Sequence, residues 1–358
     1  MENKKMIREG IQKLIGAVDL TYQESGEIMG EMMSGEATPA QIGAFLAAHR
    51  MKGETVQEIS AFASVMRKFC ARIHPSIEGR LTDTCGTGGA RVKTFNISTI
   101  SAFVAAGAGV PVAKHGNRSV TSKCGSADLL ENLGLNLNLD PPAVEKIIED
   151  VGIGFMFAPK FHPAMKHAIR PRKEMGVRTV FNILGPLTNP AGAEAQVLGV
   201  YSKEWVEPLG YVLKELGCEE AMVVHGIDGL DEISTIGKTL IAWLKDGEVS
   251  LLEKTPKDFG FRTAKLREIK GHPPEESAHL AYKILTDELK DEDPRRDIVL
   301  LNASASILVG GKAETIQQGI ELATEAIETG RAYRKLKKMV EASGGDLSKL
   351  EKLEKKYD

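Results

Sequence analysis

Across residues 1–72 the apolar positions recur with helical spacing: Ile42, Phe45 and Leu46 share one face of a 3.6-residue repeat, with polar positions between such groups. Start signals punctuate the pattern. Thr21 with Glu24 and Thr55 with Glu58 have capping-box spacing, and Thr38 precedes Pro39 at a first-turn position. Gly35 and Gly53 stand where helices would stop. The pattern predicts a small module of short amphipathic helices that buries one face against something else.

Between Ala71 and Arg80 the pattern loosens around Pro75, Ser76 and Gly79, the best candidate linker. From Leu81 onward, short apolar runs end in glycine-containing turns that lead into helical patterns: LTDTCGTGG, VPVAKHGNR, AQVLGVYS and EAMVVHGIDG. Strand-turn-helix alternation predicts an α/β fold, a central mainly parallel sheet with helices on its faces. Such sheets hold ligands at the carboxyl ends of their strands. The stretch from Lys312 to Glu341, after Gly310 and Gly311, reads as helical closing scaffold, and the Lys-rich end reads as a solvated helix.

Composition narrows the class. A chain of 358 residues, 42% apolar, can bury a large core and suggests about two domains. Its 46 basic and 49 acidic residues are interspersed and leave a formal net charge of -3, so it lacks the basic footprint of a general nucleic-acid binder. Cys70, Cys85, Cys124 and Cys218 are far apart and match no metal-ligand spacing or disulfide framework, which fits a reducing cytoplasm. The start MENKKMIREG has no signal-peptide core, and the apolar stretch Ile97 to Ala113 is too interrupted for a membrane span.

Three strand ends carry polar clusters. Gly86-Thr87-Gly88-Gly89 is followed by Asn96-Ile97-Ser98-Thr99 at the start of an apolar helix; glycines let backbone N–H groups approach phosphate, and a helix start adds partial positive charge. A tight turn with a simple Asn96 or Ser98 N-cap is the competing reading. Lys114-His115-Gly116-Asn117-Arg118, then Lys123 to Asp128, could neutralise a substrate with several negative charges, although Lys123 and Asp128 could also only cap and solvate a helix. His225 to Glu232 puts adjacent carboxylates Asp231 and Glu232 on a loop, which suits Mg²⁺ when phosphate loops lie beside it. Between these segments, His162-Pro163-Ala164-Met165-Lys166, Arg170, Arg172, Arg178 and the run Thr179 to Pro190 suggest an arginine fork for a carboxylate beside rigid glycine–proline turns.

Taken together, GTGG with NIST, KHGNR with KCGSAD, HPAMK with GVRTVFNILGPLTNP, and HGIDGLDEIS resemble, in order and spacing, the anthranilate phosphoribosyltransferase family over nearly the whole chain. The resemblance implies a helical domain of residues 1–72 with a segment near 170–190, and a larger α/β domain of residues 80–165 and 192–358, like that of nucleoside phosphorylases and phosphoribosyltransferases. It also implies a homodimer formed through the helical part. Phosphoribosyl pyrophosphate would lie across Gly86, Gly88, Gly89, Thr94, Asn96, Ser98, Thr99, Lys114 and Ser126. Anthranilate would sit near Gly86, His115, Asn117, His162, Arg172 and Pro186, its carboxylate facing Arg172. Mg²⁺ would be held by Ser98, Asp231 and Glu232. The implied reaction belongs to L-tryptophan biosynthesis and involves small molecules, without nucleic acid or membrane.

One position departs from the family pattern. Where GTGG is normally followed by aspartate, this chain has Ala90 and then Arg91, which removes a carboxylate near the diphosphate and its metals. Two rivals are a pyrimidine nucleoside phosphorylase-like enzyme and a non-catalytic nucleic-acid-binding relative. HGNR and GPLTNP favour the transferase over the first; Asp231, Glu232, Asn117, Arg172 and the negative charge argue against the second.

Overall fold

The computed structural model describes residues 6–119 and 123–357. The N-terminal pattern folds as helices α1 (Met6–Ile15), α2 (Tyr22–Ser34), α3 (Pro39–Lys52) and α4 (Val56–Phe69). The Thr21–Glu24 and Thr55–Glu58 boxes form as the sequence suggests, each threonine accepting from the third helical N–H and each glutamate from the cap backbone N–H; Thr38, before Pro39, forms a third such box with Gln41. Gly35 closes α2 in the left-handed conformation, φ 82°. Glu58 does more than cap. Fully buried, it accepts from the Leu20 and Thr55 N–H groups (2.9 Å each), His49 Nε2 (3.1 Å) and Lys52 Nζ (2.7 Å). Desolvation opposes its ionisation, yet these donors together hold its carboxyl at about 2.

The linker runs without regular structure but is pinned at several points. The Ala71 N–H donates to Phe161 O (2.8 Å), and the His74 and Ser76 N–H groups donate to Glu145 and Glu149. Beyond it lies one seven-stranded sheet, ordered β3-β2-β1-β4-β5-β6-β7. Its strands are β1 (Thr82–Gly86), β2 (Val112–Gly116), β3 (Ile153–Phe157), β4 (Ala195–Gly199), β5 (Glu220–Gly226), β6 (Thr239–Lys245) and β7 (Glu248–Lys254). β1 to β5 run parallel, and β6 and β7 add an antiparallel edge. The register aligns Gly86 with Gly199 and Gly116 with Phe157, so the glycine-terminated strand ends share one edge of the sheet.

Two helices anchor the core. α5 (Ile97–Gly107), mostly apolar all round, buries every residue but Ser98, and the helix Pro294–Val309 buries every residue but Arg295, its polar Asn302, Ser304 and Ser306 bonding to backbone carbonyls. A second apolar cluster joins Ile28, Phe45 and Phe62 of the N-terminal helices to Phe181, Ile183, Leu184 and Leu187, and to Leu198 and Val200 at the end of β4. Residues from the 170–190 segment therefore pack with the helical module and reach the strand ends. The stretch 312–341 is not one helix. Gly330, φ 68°, separates Ile316–Glu328 from Arg331–Ala342, and the Lys-rich helix Ser348–Tyr357 buries Leu350 and Leu353 on its inner side. Among the described residues no helix is long and apolar enough to cross a membrane.

Candidate active site

The first loop leaves β1 at Gly86. Gly88 and Gly89 take positive φ, 64° and 73°, a conformation side chains resist. The Thr87 N–H donates to Gly199 O (2.9 Å), tying the loop to β4, and Ala90 is buried just after it. Thr94 forms an isolated antiparallel bridge with Lys270, which fixes the approach to α5. Asn96 precedes α5 but makes no side-chain cap: its Nδ2 donates to Cys124 O (3.1 Å), while its buried Oδ1 has no partner among the described residues. The simple N-cap reading thus fails for Asn96. The first N–H groups of α5 are engaged within the protein: Ile97 donates to Phe95 O (2.8 Å), Thr99 and Ile100 to Asn96 O (3.1 Å each) and Ser98 to Glu232 Oε1 (3.2 Å), so what the helix start offers the site is its partial positive charge. Thr99 is buried in the first turn, and Ser98 is half-buried.

Lys114, on β2, is 3% exposed, and its ammonium donates to the Thr84 carbonyl of β1. Burial pulls its pKa below the usual lysine range, opposed by the charges of Asp83, Cys85 and Glu232. Asp83 is fully buried and accepts from the His115 N–H (3.2 Å) and from Asn189 Nδ2 (2.8 Å), so it orders the second loop from beneath. His115 and His162 face each other with ring centroids 4.9 Å apart, and among the described residues the buried Nε2 of each has no hydrogen-bond partner. Burial pushes them down to about 3 and about 4, so both imidazoles are neutral at pH 7. Gly185, adjoining the buried Pro186, presents its carbonyl to His115. Asn117 is exposed, and its carbonyl accepts from the hydroxyl of Ser126 (3.2 Å), the first residue of α6 (Ser126–Asn132).

Not all polar residues of this loop face a ligand. Asp128 caps the N–H groups of Gly125 and Ser119, and Arg118 is bound by Asp128 (3.0 Å) and Glu131 (2.8 Å). Their role is structural. The arginine fork also dissolves: Arg170 pairs with Glu174 on the surface, and Arg178 binds the first loop. Arg172 remains. It is half-buried, lies 4.9 Å above the Phe181 ring, has its pKa lowered by burial, and pairs with no carboxylate among the described residues.

Asp231 and Glu232 follow β5. A Cβ placed on Gly86 would stand 3.2 Å from Asp231 Oδ2, so this carboxylate borders the first loop directly. Burial, and then Asp231 beside it, pushes Glu232 up to about 8; burial likewise raises Asp231. Among the described residues neither carboxylate has an ion-pair partner at salt-bridge distance, and no group of three His, Cys, Asp or Glu side chains could enclose a metal. Two adjacent carboxylates poor in counter-charge, with Ser98 alongside, suit a hard cation that takes its other ligands from substrate oxygens and water. Asp228 takes no part; it accepts from Ser234 Oγ (2.5 Å) and the Leu230 N–H (3.1 Å) to shape the turn.

Asp83 and Thr84 of β1, together with Asn189 from the Thr179–Pro190 run, hold Lys114 and His115 in place, a role the sequence pattern does not assign to them. The signal is present as polar residues inside the apolar β1 run.

Comparison with known proteins agrees on both parts of the chain. Residues 78–333 match the model of the glycosyl transferase family, a/b domain, and residues 8–70 match that of the glycosyl transferase family, helical bundle domain. The chain is 49% identical to the anthranilate phosphoribosyltransferase of Persephonella marina over 340 residues, covering 95% of this chain and 100% of that protein. It is 51% identical to that of Methanocorpusculum labreanum, covering 95% and 99%. Among solved structures it resembles the anthranilate phosphoribosyltransferase of Thermus thermophilus (TM-score 0.88, 42% identity, 93% and 99% covered). It also resembles the Saccharomyces cerevisiae enzyme in complex with PRPP and Mg (TM-score 0.87, 27% identity, 96% and 99% covered).

Proposed function

The chain belongs to the anthranilate phosphoribosyltransferase family, and from that premise we propose that it transfers the phosphoribosyl group of 5-phospho-α-D-ribose 1-diphosphate to the amine of anthranilate, with Mg²⁺. The products are N-(5-phosphoribosyl)anthranilate and diphosphate, in L-tryptophan biosynthesis. The observation that carries the reading is the convergence at one sheet edge of the Gly86–Gly89 loop, the α5 N-terminus, buried Lys114 and the Asp231–Glu232 pair.

In this reading Gly86, Gly88, Gly89, Thr94, Asn96, Ser98, Thr99, Lys114 and Ser126 bind the sugar diphosphate. Backbone N–H groups and the α5 N-terminus meet phosphate oxygens, and Lys114 supplies a positive charge where water is excluded. Ser98, Asp231 and Glu232 hold Mg²⁺, which when bound stabilises the charge that builds on the departing diphosphate. Gly86, His115, Asn117, His162, Arg172 and Pro186 bind anthranilate. Arg172 meets its carboxylate, a role supported by its having no carboxylate partner among the described residues.

The aromatic amine is neutral at pH 7 and attacks the anomeric carbon as the C1–O bond to diphosphate breaks, its surplus proton leaving afterwards to the departing diphosphate or solvent. His115 and His162, held near 3 and 4, take up no proton at neutral pH; their free Nε2 atoms serve as acceptors that orient the amine. Positioning and leaving-group stabilisation therefore carry the rate.

The helical domain in this account comprises residues 1–72 and the segment near 170–190, and it pairs two chains into a cytoplasmic homodimer. Exposed Ile15, Val18 and Met51 on that module support the pairing. The test follows anthranilate fluorescence: it should fall only when the sugar diphosphate and Mg²⁺ are both present. Unchanged fluorescence together with phosphorolysis of uridine or thymidine would replace this reading by the phosphorylase one.

A further inference from the structure

We propose that Arg178 is a positioning residue that latches the diphosphate-binding loop to the helical part of the molecule; the proposal rests on the phosphoribosyl-transfer reading above. Gly88 and Gly89 carry no side chains and adopt positive φ, so within the loop only the Thr87 hydroxyl, donating to Gly88 O (3.3 Å), offers a side-chain contact. Beside the Thr87 N–H bond to Gly199 O, two further outside contacts hold it. Thr87 Oγ1 accepts from the Tyr201 N–H (3.1 Å), and Gly89 O accepts from Arg178 Nη2 (2.8 Å).

The two contacts are joined through one ring. The Arg178 guanidinium lies 4.3 Å from the centre of the Tyr201 ring, and Tyr201 is in turn fixed by Trp205 Nε1, which donates to its hydroxyl (2.9 Å). Arg178 is exposed, where an ordinary ion pair would contribute little. Its planar group instead faces an aromatic ring while its edge donates to a carbonyl, a combination a flexible ammonium cannot reproduce. A Cβ at position 89 would meet this guanidinium at 3.4 Å, an ordinary contact, so it is the left-handed backbone of Gly89, φ 73°, that calls for glycine beneath the arginine.

Arg178 leaves the helix Lys166–Met175 just after Gly176, φ 65°, and precedes Val180 and Phe181, which are buried with the N-terminal helices. The latch thus joins that packed segment to the donor loop. Arg172, stacked on Phe181, projects from the same segment. Arg178 touches neither reacting group; it acts through the conformation of Gly88 and Gly89.

Steady-state kinetics of the full-length protein with both substrates varied test this. Arg178→Ala should raise KM for the sugar diphosphate about tenfold, change kcat by less than about threefold and leave KM for anthranilate within about twofold. Tyr201→Leu should move the same constant in the same direction, and the double variant should be no worse than Arg178→Ala alone. Should Arg178→Ala fail to fold, Arg178→Lys decides: about a threefold rise in the same KM is expected, because charge is kept and stacking is lost. A diphosphate KM within about twofold of the parent, equal rises for both substrates, or additive effects of the two substitutions would overturn the latch. A parent protein that turns over no anthranilate would instead overturn the functional reading, which separates the two failures.

Discussion

Gly199→Ala gives a direct perturbation of the acidic loop. Gly199 ends β4 opposite Gly86, and its carbonyl accepts from the Thr87 N–H. Its φ is not positive, so alanine is tolerated by the local backbone, and the conflict is purely steric. A Cβ at 199 would lie 2.7 Å from the Asp231 carbonyl carbon and closer still to its oxygen. Carbon contacts relax near 3.5–4.0 Å and the carbonyl oxygen is nearer still, so at least roughly 1 Å of displacement is required. β4 is hydrogen-bonded on both sides, so the loop bearing Asp231 and Glu232 moves. A misplacement of about 1 Å costs on the order of 100-fold in rate, or about 2.7 kcal/mol of transition-state stabilisation. The assay is kcat/KM across a Mg²⁺ titration, with urea denaturation to confirm folding. Gly30→Ala, where a Cβ meets nothing within 4 Å inside α2, is the control and should stabilise by up to about 1 kcal/mol. Activity of Gly199→Ala within about twofold of the parent at every Mg²⁺ concentration would refute this reasoning.

Three further outcomes are expected. Glu58 is depressed from 4.5 to about 2 in the fold, so its ionisation contributes about 3 kcal/mol at neutral pH; that contribution is complete above about pH 4.5 and is lost as pH falls toward 2. Glu58→Gln should therefore lower urea stability by about 3 kcal/mol at pH 7 and by less than half of that near pH 3, and a pH-independent difference would contradict the assignment. Arg172→Ala should raise KM for anthranilate about tenfold or more with a smaller change for the sugar diphosphate, read by fluorescence; the reverse pattern would move Arg172 to the donor side. Ala90→Asp restores a carboxylate after the glycine loop and should change the Mg²⁺ profile, either by recruiting a second ion more strongly or by adding inhibition at high Mg²⁺; superimposable titrations would show that position 90 does not bear on metal use.

What was legible in the sequence follows from how local each cause is. Helix starts at Thr21, Thr38 and Thr55 were readable because a cap is decided within four residues, and all three boxes form. β1, β2, β4 and β5 were readable because buried parallel strands are short apolar runs that end in glycine turns. The strand Ile153–Phe157 is just as apolar but passes straight into the short helix Ala158–Phe161, with no turn to mark it. The β6–β7 hairpin carried a signal that went unread: Asp246-Gly247, φ 51° and 76°, is the two-residue turn that joins antiparallel strands. Charge was the least legible feature. Arg118, Arg170, Arg172 and Arg178 are alike in the sequence, yet the first two are neutralised by nearby carboxylates, the third rests unpaired on Phe181 and the fourth holds a backbone carbonyl. Only three-dimensional packing sorts them, because a cation's role depends on which groups it meets across the fold.

The central claim is that glycine N–H groups, the α5 N-terminus, Lys114 and a cation on Asp231 and Glu232 together grip one diphosphate. A crystal structure of the full chain soaked with 5-phospho-α-D-ribose 1-diphosphate and Mg²⁺ tests it most directly. Density for the diphosphate against Gly86–Gly89 and Asn96–Thr99, with Mg²⁺ on the acidic pair, is the expected result. Diphosphate bound elsewhere, or bound there with the metal distant from both carboxylates, would contradict the account.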